Sequence, residues 1–234
     1  MGEQGISINK FISSTGYCSR READELIDLG RVYVNGRPAT KAMRIDFDDK
    51  VTIDGEVIKD KTKPVIIALN KPIGVTSTTD KKDKNNIIDF IDHKERIFPI
   101  GRLDKDSSGL ILLTNRGELV NKVLRQENNH EKEYVVYVTK PLNRDFLKSL
   151  SKGVHILGTK TKPCKTYSLS KYSFGIILTQ GLNRQIRRMC SKFGYRVKNL
   201  HRIRIMNIKI GKLKPGQWRN LNAFEIQELE KQLK

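Results

Sequence analysis

The sequence predicts an α+β protein of two unequal domains, residues 1–60 and 61–234. Three observations lead there. The first sixty residues hold two short helical patterns followed by two strand–turn–strand signals. A charged, apolar-poor stretch follows at Lys59–Pro64. Beyond it short apolar strands and amphipathic helices alternate, and several strands are spaced for hairpins, which favours a mixed, mainly antiparallel sheet over a doubly wound one.

Taken in order, Ile8, Phe11 and Ile12 have helical spacing, and that helix stops near Thr15-Gly16. Ser19-Arg20-Arg21-Glu22 is a capping box, in which Ser19 caps the amide of Glu22 and Glu22 reaches back. The helix it opens carries Ala23, Leu26, Ile27 and Leu29 and ends at Gly30, where a left-handed residue is needed. Val32–Val34 is a strand, and Asn35-Gly36 signals a tight hairpin turn. Val51 and Ile53, Asp54-Gly55, then Val57 and Ile58 repeat the pattern. In the second domain Val65–Leu69 is an apolar strand broken by Lys71-Pro72-Ile73-Gly74, and Asp80–Asn86 is a polar, mobile loop. Leu110–Thr114 is a buried strand, Leu119–Arg125 a helix, Tyr134–Val138 a strand, and Phe146–Leu150 a helix ended by Gly153. Phe174–Thr179 is a strand. Asn183–Phe193 is an amphipathic helix with Ile186, Met189, Cys190 and Phe193 on one face. Ile203, Ile205 and Ile208 mark strand, and Asn222–Glu225 caps a C-terminal helix.

Charge is the first functional clue. Lys and Arg number 45 against 26 Asp and Glu, a net of +19. The excess is uneven: residues 1–60 hold 9 basic and 11 acidic side chains, whereas Phe146–Phe224 hold 18 basic and no acidic ones. A basic face for DNA or RNA is the reading this favours. No apolar run reaches the length of a bilayer span, and Met1–Lys10 has no apolar segment of the secretory kind. Cys18, Cys164 and Cys190 are too far apart for a CxxC site and odd in number, which points to a reduced, cytoplasmic setting. The four histidines lack metal spacing. No phosphate loop, no GxGxxG after a strand and no GxSxG elbow is present, so an enzyme here would work through a carboxylate without cofactor or metal.

Three segments carry candidate chemistry. Gly101–Leu110 is a dense turn with Asp104 and Asp106 beside Arg102 and Lys105; on spacing alone a surface turn is the stronger reading. Gly181–Arg188 places Arg184, Arg187 and Arg188 at a helix start, where basic charge opposes the helix dipole and calls for a negative partner, phosphate or carboxylate. Arg187 follows the inward-facing Ile186 and is expected to be half-buried. Glu131-Lys132-Glu133-Tyr134 opens a strand with an aromatic ring.

The segments GRLDKDSSGLILLTN at 101–115, HEKEYVV at 130–136 and GLNRQIRRM at 181–189 resemble the three motifs of the pseudouridine synthases, in the branch that modifies single uridines of ribosomal RNA. Residues 6–58, with SRREAD and GRVYVNG, resemble the S-four-like RNA-binding domain often joined to that branch. The resemblance runs in order over nearly the whole chain. It implies isomerisation of a uridine, most of all in 23S rRNA with tRNA as a further candidate substrate, by a cytoplasmic monomer with no cofactor, no metal and no membrane. Asp104 aligns with the catalytic aspartate, Arg187 with the arginine that pairs with it, and Tyr134 with the aromatic that stacks on the target base. A carboxylate suits the reaction either as nucleophile at C1′ or as base at C2′, and a fixed cation is needed to keep it ionised in a dry cleft. Arg102, Arg184 and Arg188 are expected to bind RNA, as are Lys10, Arg20, Arg21, Arg31 and Arg37 of the first domain. There the basic residues are expected to form a surface apart from the acids of Asp46–Glu56. One departure stands out: Leu182 occupies a place where many relatives carry Arg or Lys.

Overall fold

A computed structural model describes residues 5–46, 48–58, 63–125 and 129–233. The chain forms two compact units. One comprises Met1–Pro64 with Lys94–Arg96 and Asn115–Gly117, and the other holds the remainder. Part of the stretch Lys59–Pro64, residues 59–62, lies outside the described residues.

In the first unit the order is β1 (Ile6–Ser7), α1 (Ile8–Ser14), α2 (Arg20–Asp28), β2 (Val32–Val34), β3 (Arg37–Pro38), β4 (Arg44–Ile45), β5 (Val51–Ile53) and β6 (Glu56–Val57). The capping box is formed: Glu22 N donates to Ser19 Oγ at 3.2 Å and Ser19 N to Glu22 Oε2 at 2.6 Å. Both hairpin turns use two consecutive left-handed residues, Asn35-Gly36 and Asp54-Gly55, the twist that lets strands return antiparallel without splaying. Ile8, Ile12, Ala23, Ile27, Val32, Ile45, Val51 and Ile53 form the core, drawn from both helices and the strands.

The second unit runs β7 (Ile66–Lys71), α3 (Ile87–Ile91), β8 (Phe98–Ile100), β9 (Ser108–Thr114), α4 (Gly117–Leu124), β10 (Lys132–Val138) and α5 (Arg144–Ser151). It continues with β11 (His155–Ile156), β12 (Thr159–Lys160), β13 (Lys165–Ser170), β14 (Ser173–Leu178) and α6 (Gln185–Lys192). It ends with β15 (Val197–Ile205), β16 (Ile208–Lys209), β17 (Trp218–Asn220) and α7 (Ala223–Gln232). Its main sheet has the order β13-β14-β10-β15-β9-β7-β17, with β16 beside β15 and β8 beside β9. Every pairing is antiparallel except β15 with β9. The predicted α+β class and mainly antiparallel sheet are therefore what the chain adopts.

β9 is covered on both faces. Leu110 and Leu112 enter one apolar cluster with α4 and α7, while Ile111 and Leu113 enter another with α3, which is why the strand reads as an unbroken apolar run. Its only parallel neighbour comes unusually close: Gly109 pairs with Arg202, and a Cβ on Gly109 would lie 2.3 Å from the Arg202 carbonyl oxygen. Gly109 also has φ of +107°, which L side chains avoid. Gly109→Ala should therefore cost about 2–4 kcal/mol and part β9 from β15. Chemical denaturation read by tryptophan-independent circular dichroism checks this, and an unchanged midpoint would show that the strands tolerate the methyl.

Several elements differ from expectation. The first strand is not Val65–Leu69 but Ile66–Lys71, because Lys71 itself stays in the sheet and the chain turns only at Pro72. The loop Asp80–Asn86 is tied rather than loose: Asp80 and Asp83 accept from the amides of Lys82 and Asn85, and Asn86 donates to the Asp83 carbonyl and caps α3. α6 begins at Gln185 rather than Asn183, since Arg184 is left-handed at φ 49°. Finally β13 and β17, the two edges of the sheet, were not signalled by periodicity.

Candidate active site

The loop Gly101–Ser107 joins β8 to β9 and carries Asp104. It is held from both sides by residues that sequence reasoning did not single out. Ser77 Oγ donates to the Leu103 carbonyl at 2.9 Å and accepts from its amide at 3.2 Å. The Lys105 carbonyl accepts from Gly74 N at 2.8 Å. That second anchor depends on Lys71, a lysine with no exposed surface, whose Nζ donates to the carbonyls of Pro72 at 2.9 Å and Val75 at 2.8 Å. Two carbonyls compensate the buried ammonium only in part. Burial pushes its pKa down to about 8, against the pull of Asp106 and Asp104. Lys71 thus folds the turn that clamps the aspartate loop.

Asp104, with its side chain 35% exposed, faces a cavity of about 440 Å³. Tyr134 and Lys132 from β10, Arg202 from β15, and Arg102, Leu182 and Arg184 share its wall. The three motif segments are therefore brought to one place by the sheet: β14, which leads into 181–189, pairs with β10, β10 with β15, and β15 with β9. Leu182 is packed partly into the apolar cluster beneath α6, so this position serves packing.

The cation arrangement departs from expectation. Arg187 does not pair with Asp104. Its Nη2 donates to the Asp106 carbonyl at 2.9 Å and to Ser107 Oγ at 3.3 Å, lies 3.4 Å from the Asp106 carboxylate, and its Nη1 donates to the Val197 carbonyl at 3.2 Å. The physical reason is position. On the first turn of α6 its side chain is only 14% exposed and runs behind the loop rather than over its mouth. The cation nearest Asp104 is instead Arg184, 3.6 Å from its carboxylate. Arg184 makes a two-point fork on Asp106, at 3.0 and 2.9 Å, which holds the Asp106 carboxyl below its usual range. Its left-handed backbone aims it there, a strained choice of the kind found at functional sites. For two of the three arginines at this helix start, Arg184 and Arg187, the negative partner is thus Asp106.

The expected RNA-contacting residues fall into two groups. Arg102 and Arg188 are exposed, and Arg188 folds back on Asn183, with bonds of 3.1 Å to its carbonyl and side-chain oxygens. Beside them Arg184, Arg187, Arg196 and Lys198 line a second cleft of about 650 Å³. In the first unit Lys10, Arg20, Arg21 and Arg37 are exposed. Arg31 is not free of the acids as expected: it forks onto Asp54 across the hairpin turn, so basic and acidic surfaces meet there. Among the described residues no group of three or more His, Cys, Asp and Glu is placed to hold a metal ion, and no helix is long and apolar enough to cross a membrane.

A family profile described as RNA pseudouridylate synthase matches residues 65–192, more than half of the chain. The chain belongs to the RNA pseudouridylate synthases. An S4 domain profile matches residues 7–51. The chain is 51% identical over 231 residues to the dual-specificity RNA pseudouridine synthase RluF of Escherichia coli (strain K12), covering 98% of this chain and 80% of that protein. It is 36% identical to the ribosomal large subunit pseudouridine synthase B of Bacillus subtilis (strain 168), covering 95% and 94%. A solved structure described as a pseudouridylate synthase superposes with a TM-score of 0.71 at 27% identity, covering 96% of this chain and all of the other. The synthase is an isomerase that acts on uridine in RNA. Its fold is an S4 domain joined to a pseudouridine synthase domain.

Proposed function

We propose that this synthase converts a uridine of 23S rRNA to pseudouridine, with Asp104 as the reacting carboxylate and Tyr134 as the ring against the target base. The dual specificity in the name of the Escherichia coli relative supports a second RNA, for which tRNA is our candidate. The observation that carries the reading is that Asp104 and Tyr134 line one cavity, with Asp104 on a loop clamped by Ser77 and the Lys71 turn.

The uridine leaves its stack to enter the cavity, and Tyr134 replaces a stacking neighbour. Asp104 either bonds to C1′ or removes the C2′ proton; in both cases the N1–C1′ electron pair departs with the uracil. The base turns, C5 bonds to C1′, the carboxylate is released or returns its proton, C5 loses its proton and N1 gains one. The product is an isomer and no cofactor is consumed. Functionally we divide the chain at residues 1–60, which bind RNA, and 61–234, which carry the chemistry, and we assign the whole to the cytoplasm as a monomer.

Tritium release from ribosomal RNA labelled at uridine C5, with purified protein and no added cofactor, tests the reading. Release together with a mapped pseudouridine supports it; silence on large-subunit RNA would overturn it. RNA affinity should also fall steeply with salt, each neutralised phosphate contributing a slope of roughly −0.7 to −0.9. Arg188→Gln should flatten that slope by about one unit. Arg184→Gln should flatten it less, because the Arg184 fork is already engaged by Asp106. Equal flattening in the two variants would show that RNA displaces Asp106 from Arg184.

A further inference from the structure

The chemistry above uses a carboxylate and a ring, and leaves the inner wall of the same cavity unexplained. That wall is cationic. Arg202 sits at the centre of β15, in register with Tyr134 on one side and Gly109 on the other. Only 3% of it is exposed, and its Nε donates to the Leu110 carbonyl at 2.6 Å. Its guanidinium carbon lies 5.9 Å from the centre of the Tyr134 ring. Its Nη2 is buried and has no hydrogen-bond partner among the described residues.

Lys132 lines the same cavity, two residues before Tyr134, and makes only a long bond of 3.4 Å to the His130 carbonyl. Burial, and then the nearby Arg202, push its ammonium down to about 8. Arg184 and Arg187 are paired with Asp106, whereas no ion pair among the described residues engages Arg202 or Lys132. A buried guanidinium with a partly buried ammonium in the same cavity wall and no anion is costly, and an unmade hydrogen bond adds to the cost. The arrangement makes sense if the missing negative charge arrives with the reaction.

We propose that Arg202, supported by Lys132, is a further catalytic residue that stabilises the uracil as an anion while it is detached from C1′. The inference rests on the isomerase reading of the Asp104 cavity. When the N1–C1′ bond breaks, its electron pair stays on the uracil, and the charge spreads over N1, O2 and O4. A carbonyl oxygen bearing that charge accepts from Nη2–H of Arg202 with no proton transferred. Once C5 has bonded to C1′ and its proton has gone, N1 is protonated and the base is neutral again. A donor fixed by a 2.6 Å backbone bond and by the close Gly109 contact needs no reorganisation as charge develops, which is the condition under which such donors act most strongly. The inner position also separates the roles: Asp104 acts on the sugar from the mouth, and Arg202 on the base from within.

The test is single-turnover conversion by Arg202→Met, Arg202→Lys and Lys132→Gln on ribosomal RNA carrying either uridine or 5-fluorouridine at the target. RNA affinity and thermal unfolding are measured alongside. The fluorine makes the base a better leaving anion, so consumption of the N-glycoside depends less on an external cation. On uridine Arg202→Met should be slower by about 10²–10³-fold with RNA affinity within about threefold of wild type, and Arg202→Lys should recover part of the rate. On 5-fluorouridine the gap to wild type should shrink by about tenfold or more. Lys132→Gln should be slower by roughly tenfold, with the same narrowing, and keeps the proposal testable if the Arg202 variants unfold, because its only hydrogen bond is weak. A loss that is equal on the two bases, or near-normal turnover in a folded variant, would overturn the assignment. Wild-type protein that forms no pseudouridine would overturn the isomerase reading instead.

Discussion

Asp104→Asn should abolish pseudouridine formation while leaving RNA affinity within about twofold. The amide neither attacks C1′ nor takes a proton from C2′, so both routes open to the carboxylate close together. Little else changes. The nearest cation, Arg184, stands 3.6 Å away and keeps its two bonds to Asp106, and Asp104 is about a third exposed. An ion contact of that kind contributes under about 1 kcal/mol, so the variant should fold normally. The proposed phosphate contacts rest on other side chains, the exposed Arg102 and Arg188 and the cations of the second cleft. The check is a single-turnover assay beside a filter-binding titration. Turnover near wild type would remove Asp104 from the chemistry, and a large loss of affinity would mean that the carboxylate organises the binding surface rather than the reaction.

What the sequence made legible depends on how locally each feature is encoded. The capping box at Ser19 and the left-handed pairs at Asn35-Gly36 and Asp54-Gly55 are chemical statements over two to four residues, and the chain adopts them. β9 announces itself because both its faces are buried. The edge strands do not. β13, KTYSLS, is exposed along most of its length, and β17 has only three residues, so neither carries a hydrophobic alternation. Lys71 reads as part of the break after a strand because proline follows it; nothing local says that it stays in the sheet with its ammonium buried on the carbonyls of Pro72 and Val75.

Arg202 is hidden for a different reason. β10 and β15 slip register between Glu133 and Tyr134, whose partners are Arg204 and Arg202, so Ile203 is the extra residue of a bulge. The bulge breaks the alternation of HRIRI. Arg202 is buried in the sheet while Arg204 turns to Glu131 and Glu133. Asp104 and Tyr134 were found through the family motifs, and no spacing rule alone would have brought them together.

The pairing of Arg187 is where the family expectation and the structure part, and it sets the second large effect. Arg187→Gln should lower single-turnover activity by about 10²-fold and cost about 3 kcal/mol of stability, with little change in the salt slope. Arg187 reaches four groups at once: the Asp106 carbonyl, the Asp106 carboxylate, Ser107 Oγ and the Val197 carbonyl. It therefore ties the end of the Asp104 loop to the start of β15. Glutamine is too short to span these groups and leaves buried acceptors unpaired. The Asp104 loop then keeps its anchors at Ser77 and Gly74 but loses the third, and a displacement of the carboxylate by about 1 Å is enough for a loss of this size. Because the effect runs through Asp106, Asp106→Asn in the same background should add less than it does in wild type, whereas direct pairing with Asp104 would leave the Asp106 change fully additive. The double-mutant cycle, read in both denaturation midpoint and single-turnover rate, decides between the two. Full additivity of Arg187→Gln and Asp106→Asn would return Arg187 to Asp104.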